Sequence, residues 1–180
     1  MLKKILLASI LIFLIAGMGF AFQNEPDGFR GLKWGDPPIE DMDMIFYTVS
    51  GEIVIYRKAE DKMDIGDAKL YSLEYDFWKK RFIEVDGYFK NKKNYDILKT
   101  ICEKKFGKPT SVRIHKYKED FGEPTKERLF IVNWTGSKTT ITLFYDSVIE
   151  SGSLSLLSRK IWRERIQEEL ERIREAKGNS

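Results

Sequence analysis

The sequence predicts an α+β domain built on antiparallel sheet, and three patterns carry that prediction. Apolar and polar residues alternate over Lys69–Trp78 and again over Arg81–Phe89, which is typical of strands that are buried on one face only. A stretch with helical periodicity follows them, and a second group of strand-like segments comes after it. Strands that occur in groups with helices between the groups indicate α+β rather than the strict alternation of an α/β fold.

The first 21 residues have the parts of a secretory signal peptide. Lys3 and Lys4 form a basic start, an apolar run extends from Ile5 to Phe22, and Gly19-Phe20-Ala21 supplies small residues before a cut. We therefore predict that residues 1–21 are removed and that residues 22–180 work in the periplasm or are secreted, with no stable membrane span after cleavage. The alternative is an uncleaved segment that anchors the protein in the inner membrane, because the run is near the lower length limit for a span.

Charge and cysteine content exclude several classes of protein. The chain has 31 Lys and Arg against 28 Asp and Glu, and two of the 31, Lys3 and Lys4, belong to the leader. A nucleic-acid binder needs a surplus of cations to displace counterions from phosphates, so nucleic acid is not an expected partner. Cys102 and His115 are the only cysteine and the only histidine. The chain therefore has no intramolecular disulfide, and it lacks the paired Cys and His ligands of a zinc site.

The first predicted elements are a short helix and three strands. Asp36 can cap a helix and Pro37 suits the first helical position, so we expect a helix from Pro37 to about Phe46. Strands are predicted over Glu52–Arg57, 69–78 and 81–89, and the short gap at Lys79-Lys80 makes the last two a hairpin. The expected core faces are Tyr71, Leu73, Tyr75 and Phe77 on one strand and Ile83, Val85 and Phe89 on the other, opposite Ser72, Glu74, Asp76, Glu84 and Asp86.

A second helix and a second group of strands complete the domain. Asn94 is expected to cap a helix that ends at Phe106, with Tyr95, Leu98, Cys102 and Phe106 recurring on one face, so Cys102 is predicted to be buried. Strands are then predicted at 111–117, 128–134, 138–145 and 152–158, followed by a helix over 159–177. The order is α-βββ-α-ββββ-α, which raises the alternative of two pseudo-repeated halves. We divide the chain into a signal peptide (1–21), one α+β domain (22–158), and a C-terminal amphipathic helix and tail (159–180).

No established catalytic or ligand-binding motif is present, so we predict no catalytic, cofactor-binding or metal-binding residues. Two groups of acids are candidate metal sites, one between Asp36 and Asp43 and one between Asp61 and Asp67. Neither has the alternating oxygen ligands, central Gly and final Glu of a calcium loop. A hydrolase that uses scattered carboxylates remains an alternative, since acids are plentiful throughout the chain.

Two aromatic surfaces are candidates for contact with a partner. Phe29 and Trp34 lie in a Gly-rich segment, and a large ring between glycines either fills the domain or stands exposed as an anchor. Trp162 and Ile166 begin an apolar stripe on the C-terminal helix, which continues through Leu170 and Ile173. That stripe packs either on the protein's own sheet or in a partner.

The segment Phe29-Arg30-Gly31-Leu32-Lys33-Trp34-Gly35, together with the hairpin after it and Phe106-Gly107-Lys108-Pro109, resembles a group of small exported bacterial proteins. They share an F-x-G-x-x-W-G start and have no activity assigned, so the resemblance implies export and transfers no catalytic residue. A fainter similarity links the chain to the small α/β modules of outer-membrane assembly lipoproteins, but this chain lacks their lipidated cysteine. The function that we expect is an exported binding or protein-interaction module, whose partner is an envelope protein or a small ligand. An envelope-associated structural protein is the further alternative.

Overall fold

The computed structural model describes residues 22–47, 52–117 and 126–178. The predicted signal peptide, residues 1–21, lies outside the described residues. The elements are β1 (Gly28–Phe29), β2 (Leu32–Lys33), β3 (Met42–Tyr47), β4 (Ile53–Lys58), β5 (Asp64–Ile65), β6 (Ala68–Trp78), β7 (Arg81–Lys90), α1 (Lys92–Phe106), β8 (Ser111–Tyr117), β9 (Lys126–Thr135), β10 (Thr139–Asp146), β11 (Ser151–Ser158) and α2 (Arg159–Gly178).

One large antiparallel sheet dominates the fold, which confirms the α+β class. Its strand order is β3-β4-β6-β7-β11-β10-β9-β8. The sheet therefore consists of two meanders that meet where β7 pairs antiparallel with β11. A helix follows the last strand of each meander. Within the described residues, neither helix combines the length and the apolar character that a bilayer crossing needs.

The predicted helix from Pro37 to Phe46 is wrong, because Met42–Tyr47 forms the edge strand β3. The carboxylate of Asp36 accepts a hydrogen bond from the backbone N–H of Lys33 at 2.8 Å. It therefore closes a turn with the residues that precede it and does not cap a helix in the residues that follow it. Met42 and Met44 pair with Lys58 and Tyr56 of β4, and a register shift after Met44 then pairs Phe46 with Ile55. Pairing with a neighbouring strand prevailed over the local helix-start signal.

The hairpin of β6 and β7 forms as predicted, and its turn is of type I′. Lys79 and Lys80 both have positive φ, 50° and 62°, which this turn requires and which Gly or Asn would satisfy with less strain. Register shifts in the hairpin correct two predicted faces. Tyr71 lies at one shift and is 56% exposed, and Ile83 lies at the other and packs with Trp78 away from the main core. A bulge inserts one residue and so moves a side chain out of strict alternation.

Helix α1 packs its apolar stripe on one face of the sheet, as predicted. Tyr95, Leu98, Cys102 and Phe106 are all buried in the main core. The N-cap is Asn91 rather than the expected Asn94, and its side chain accepts from the backbone N–H of Asn94. Burial raises the pKa of the Cys102 thiol to about 12, so this cysteine is a core residue.

The opposite face of the sheet is polar over much of its area. The residues that alternate with the core positions are Glu74, Asp76, Glu84, Asp86, Ser155, Thr142 and Asn133, and backbone register places them side by side across the strands. At one end of this face, Trp78, Ile83 and Ile161 form a second, smaller apolar cluster. This cluster is where the first turn of α2 attaches.

Candidate functional site

A pocket of about 580 Å³ opens beside Trp34, between four separate parts of the chain. Lys33 and Trp34 come from the end of β2, and Arg81 starts β7. Lys138 belongs to the turn between β9 and β10, and Lys160 and Ile161 belong to the first turn of α2. The volume is within the range of small-molecule sites.

Trp34 is held in one orientation by contacts on two sides. Its ring stacks on Phe82 with ring centroids 4.8 Å apart. Its indole N–H donates to the hydroxyl of Thr139 at 2.9 Å, and Thr139 in turn donates to the carbonyl of Pro26 at 2.7 Å. The next residue, Gly35, has φ of +94°, a conformation that other residues adopt only with strain. The F-x-G-x-x-W-G segment therefore packs against the domain and leaves Trp34 partly exposed in the pocket wall.

The β9–β10 turn on the other side of the pocket is fixed by Glu25. The carboxylate accepts from the backbone N–H groups of Ser137, Lys138 and Thr139 at 3.2, 2.5 and 2.6 Å. Burial acts to raise the pKa of Glu25, but these hydrogen bonds outweigh it and the pKa is lowered. These hydrogen bonds hold the backbone of the turn in place, while the Lys138 side chain remains exposed.

The pocket is lined by more positive than negative charge. Lys33, Arg81, Lys138 and Lys160 line it together with a single acid, Asp27. Arg81 forms an ion pair with Glu164 at 2.7 Å. The other three cations form no ion pair with any described residue, and charges of one sign that converge on a cleft raise the local concentration of oppositely charged ligands.

A second candidate site is a group of carboxylates on the polar face of the sheet. Asp76 on β6 is the register partner of Glu84 on β7, and Asp86 lies two residues further along. One oxygen from each of these three carboxylates lies within 4.8 Å of the others. The neighbouring Glu74 is already engaged by Arg57 at 2.5 Å and by Ser72 at 3.1 Å.

The three carboxylates are held in an environment that disfavours their charged forms. Burial, with repulsion from neighbouring acids, raises the pKa of Asp76 to about 7 and that of Glu84 to about 8. Burial also raises the pKa of Asp86, although the Ser155 hydroxyl donates to it. Arg165 on α2 opposes the increase at Asp76 and Glu84. Such a group can share protons at neutral pH, and its oxygens are the ligand type that hard divalent cations prefer.

The acid groups singled out from sequence have other roles. Asp41 pairs with Lys58 at 2.9 Å. Asp61 accepts from Arg30 and from the hydroxyl of Tyr75, so it fastens the β1–β2 hairpin to the loop after β4. Arg30 also donates to the backbone carbonyls of Lys62, in that loop, and of Asp64, at the start of β5. These acids are structural partners.

The four predicted surface residues lie at three different places. Phe29 is half-buried and packs on Tyr75, with ring centroids 6.2 Å apart, so it contributes to core packing. Trp34 lines the pocket. Trp162 and Ile166 lie on the exposed side of α2. His115 is exposed on β8.

Sequence reasoning missed the cations of the pocket and the carboxylate group. Arg81, Lys138 and Lys160 reach Trp34 only through the pairing of distant strands, which no local pattern reveals. The carboxylate group did leave a signal, because the alternation placed Asp76, Glu84 and Asp86 on the polar side of two strands that were predicted to pair.

No protein-family model, no curated protein and no solved structure matches this chain.

Proposed function

We propose that this protein is an exported binding module and that its ligand is a small anion bound in the pocket beside Trp34. The observation that carries the proposal is the set of three lysines, Lys33, Lys138 and Lys160, that line a cavity of about 580 Å³ without an ion-pair partner among the described residues. A ligand with a carboxylate or phosphate group would supply the missing negative charge. An apolar or aromatic part of the ligand would pack on Trp34 and Ile161.

The fixed position of the pocket wall supports this function. Trp34 is oriented by Phe82 and Thr139, and the β9–β10 turn is braced by Glu25. A site whose walls are ordered before binding loses less conformational entropy when a ligand enters. The lysine side chains are the adaptable parts.

A binding titration tests the proposal. Inorganic phosphate, citrate and a nucleoside monophosphate are titrated by calorimetry into the wild type and into Lys33→Glu/Lys160→Glu. We expect at least one probe to bind with a Kd below about 1 mM, and we expect the double variant to lose that binding. The matched control is Lys93→Glu/Lys104→Glu, which makes the same charge change on exposed α1 positions. Binding by no probe, or equal loss in both variants, would refute the proposal.

Export has its own test. Cleavage after Ala21 would make Phe22 the first residue of the mature chain. Phe22 packs edge-on against Phe106 at 5.4 Å, and the backbone N–H of Gln23 donates to the Phe106 carbonyl at 3.0 Å, so the new amine would lie near the negative end of the α1 dipole, which favours a positive charge. We expect mass spectrometry of natively expressed protein to give Phe22, or a residue close to it, as the N-terminus. An intact Met1 would contradict export with cleavage.

The second candidate function is hydrolysis at the carboxylate group, and the close approach of Asp76, Glu84 and Asp86 favours it. A carboxylic acid that stays protonated near neutral pH can act as a general acid beside an ionised partner. Aryl glycosides and aryl esters assayed between pH 5 and pH 8 test this function. Turnover that is lost in both Asp76→Asn and Glu84→Gln would support it, and turnover unchanged in both would exclude it.

A further inference from the structure

Helix α2 is attached to the domain by its charged side. Ile161 is its one buried apolar residue among those described. Beyond it, Glu164 pairs with Arg81 at 2.7 Å, Glu168 pairs with Lys79, and Arg172 pairs with Glu52 at 2.9 Å. The helix positions 161, 164, 168 and 172 are separated by three or four residues and so lie on one side. That side faces the sheet.

The apolar stripe of α2 lies on a different side and is open to solvent. Its members, Trp162, Ile166, Leu170 and Ile173, are between 36% and 48% exposed. Their spacing of four, four and three residues makes them one continuous ridge along the helix. A surface helix normally turns such a stripe toward its own core, so its exposure marks a contact surface.

The charges beside the ridge are mainly positive. Arg163, Arg174 and Lys177 each lie three or four residues from a member of the ridge, and all three are exposed. Arg165 lies with its guanidinium carbon 5.0 Å from the Trp162 ring centroid. Among the acids of α2, only Glu169 lies three or four residues from a member of the ridge. Glu164 and Glu168 lie on the side of the helix that pairs with Arg81 and Lys79 of the domain.

We propose that this face of α2, the apolar ridge with its flanking cations, lies on an anionic lipid bilayer. A tryptophan-containing apolar ridge with arginine and lysine beside it has the composition of helices that lie flat at the headgroup level. The 20-residue helix is about 30 Å long, and its ion pairs to the sheet leave the opposite side free. The helix then lies between the domain and the membrane. This contact is independent of the pocket beside Trp34.

A bilayer fits this face better than a protein groove. The ridge lies on the outer, convex side of α2, and none of its residues lines the pocket beside Trp34. A convex ridge can insert among lipid headgroups without a shaped partner. The flanking cations gain from the negative surface potential at the same time.

Vesicle co-sedimentation tests the contact. Protein purified from cells that export it, in one processed form for all variants, is mixed with vesicles of phosphatidylethanolamine and phosphatidylglycerol or with vesicles of phosphatidylcholine alone. We expect binding to the anionic vesicles that weakens with salt, and little binding to phosphatidylcholine. Trp162→Ser/Ile166→Ser should bind at least about tenfold more weakly, and Arg163→Gln/Arg174→Gln should lose about fivefold for each charge.

Matched controls separate the ridge from general surface effects. Val148→Ser/Ile149→Ser removes two side chains that are 65% and 67% exposed in the β10–β11 turn, and Lys93→Gln/Lys104→Gln removes two exposed charges of α1. Both controls should bind like the wild type. Trp162 fluorescence should shift to the blue on anionic vesicles, and that shift should be missing in Trp162→Phe, which reports insertion without depending on the double variants.

Three results would overturn the membrane contact. The first is no binding of the wild type to anionic vesicles. The second is equal loss of binding in the ridge variant and in Val148→Ser/Ile149→Ser. The third is a dimer, seen by sedimentation, that the ridge variant dissociates without any change in vesicle binding, since the ridge would then contact a second copy of the chain.

Discussion

The two helices of this protein dock in opposite ways. Helix α1 turns its apolar stripe inward, and Leu98 and Cys102 at its centre are 0% and 2% exposed. Helix α2 turns charged residues inward and leaves Trp162, Ile166, Leu170 and Ile173 in solvent. Both helices have an apolar stripe in the sequence, so periodicity alone does not decide which side of a helix meets its own sheet.

The difference follows from the surface that each helix meets. The sheet presents a continuous apolar face to α1, with Tyr75, Phe82 and Trp134 among its fully buried residues. Near α2, the other face offers the small cluster of Trp78, Ile83 and Leu157 and then the charges of the β6–β7 hairpin. Burial of apolar surface stabilises more than exposed ion pairs, which contribute about 0–1 kcal/mol each. We therefore expect α1 to be part of the cooperative core and α2 to be attached more weakly.

Thiol labelling gives the largest expected contrast. In the folded protein, Cys102 should react at least about a thousandfold more slowly than in denaturant, because labelling requires opening of the core and burial raises its pKa to about 12. A thiol introduced by Ile166→Cys should react at nearly the rate of a free cysteine. Reaction with a thiol reagent, followed by mass spectrometry of the peptides, measures both sites in one sample. Prompt native labelling of Cys102 would mean that the face assigned to α1 is wrong.

The elements that form through local pairing could be predicted from the sequence. The β6–β7 hairpin, helix α1 with its stripe, and the strands from Ser111 to Ser158 all have periodic patterns that extend over seven or more residues. Predictions failed where one residue or a distant partner decides the outcome. Bulges moved Tyr71 and Ile83, and pairing with β4 turned a predicted helix into β3.

The candidate sites could be predicted only in part, for the same reason. Trp34 was recognisable as a large ring between glycines, but the lysines around it lie at the end of β2, in the β9–β10 turn and in the first turn of α2. These parts of the chain come together only in the folded sheet. The stripe of α2 was recognisable too. Its orientation was not, because that depends on Lys79, Arg81 and Glu52, which no pattern in the helix reveals.

Truncating one leucine on each helix gives the next largest effect. Leu98→Ala should lower the free energy of unfolding by about 2–5 kcal/mol, as expected for a fully buried leucine, whereas Leu170→Ala should change it by less than about 1 kcal/mol. Urea unfolding followed by circular dichroism measures both. Comparable losses at the two positions would show that α2 also packs its ridge on the domain, and the contrast between the helices would then be mistaken.

The smallest of these effects concerns the polar face near α2, where the carboxylates of Asp76 and Glu84 are buried and the nearby cation, Arg165, only partly offsets the cost of their charged forms. Asp76 and Glu84 have pKa values of about 7 and 8 in the folded protein, above the ordinary values near 4 of the unfolded chain. The folded state therefore binds more protons than the unfolded state between these limits, and the free energy of unfolding falls as the pH rises from about 4 through 8. Glu84→Gln keeps the shape and removes the charge.

We expect Glu84→Gln to stabilise the protein by a few kcal/mol at pH 8.5. The effect should be small at pH 4.5, where the wild-type carboxyl is protonated in the folded state and about half protonated in the unfolded chain. Thermal unfolding at the two pH values measures the difference. The exposed Glu171→Gln on α2 is the matched control and should leave the pH dependence unchanged. A destabilised Glu84→Gln variant at high pH would mean that the charged form of this carboxylate is favoured, as it would be if Arg165 neutralised it or if a bound cation did so. The ionised carboxylates of the polar face would then stabilise the fold. The two faces of the sheet would both contribute to the free energy of unfolding, the polar face through charge interactions and the face under α1 through apolar burial.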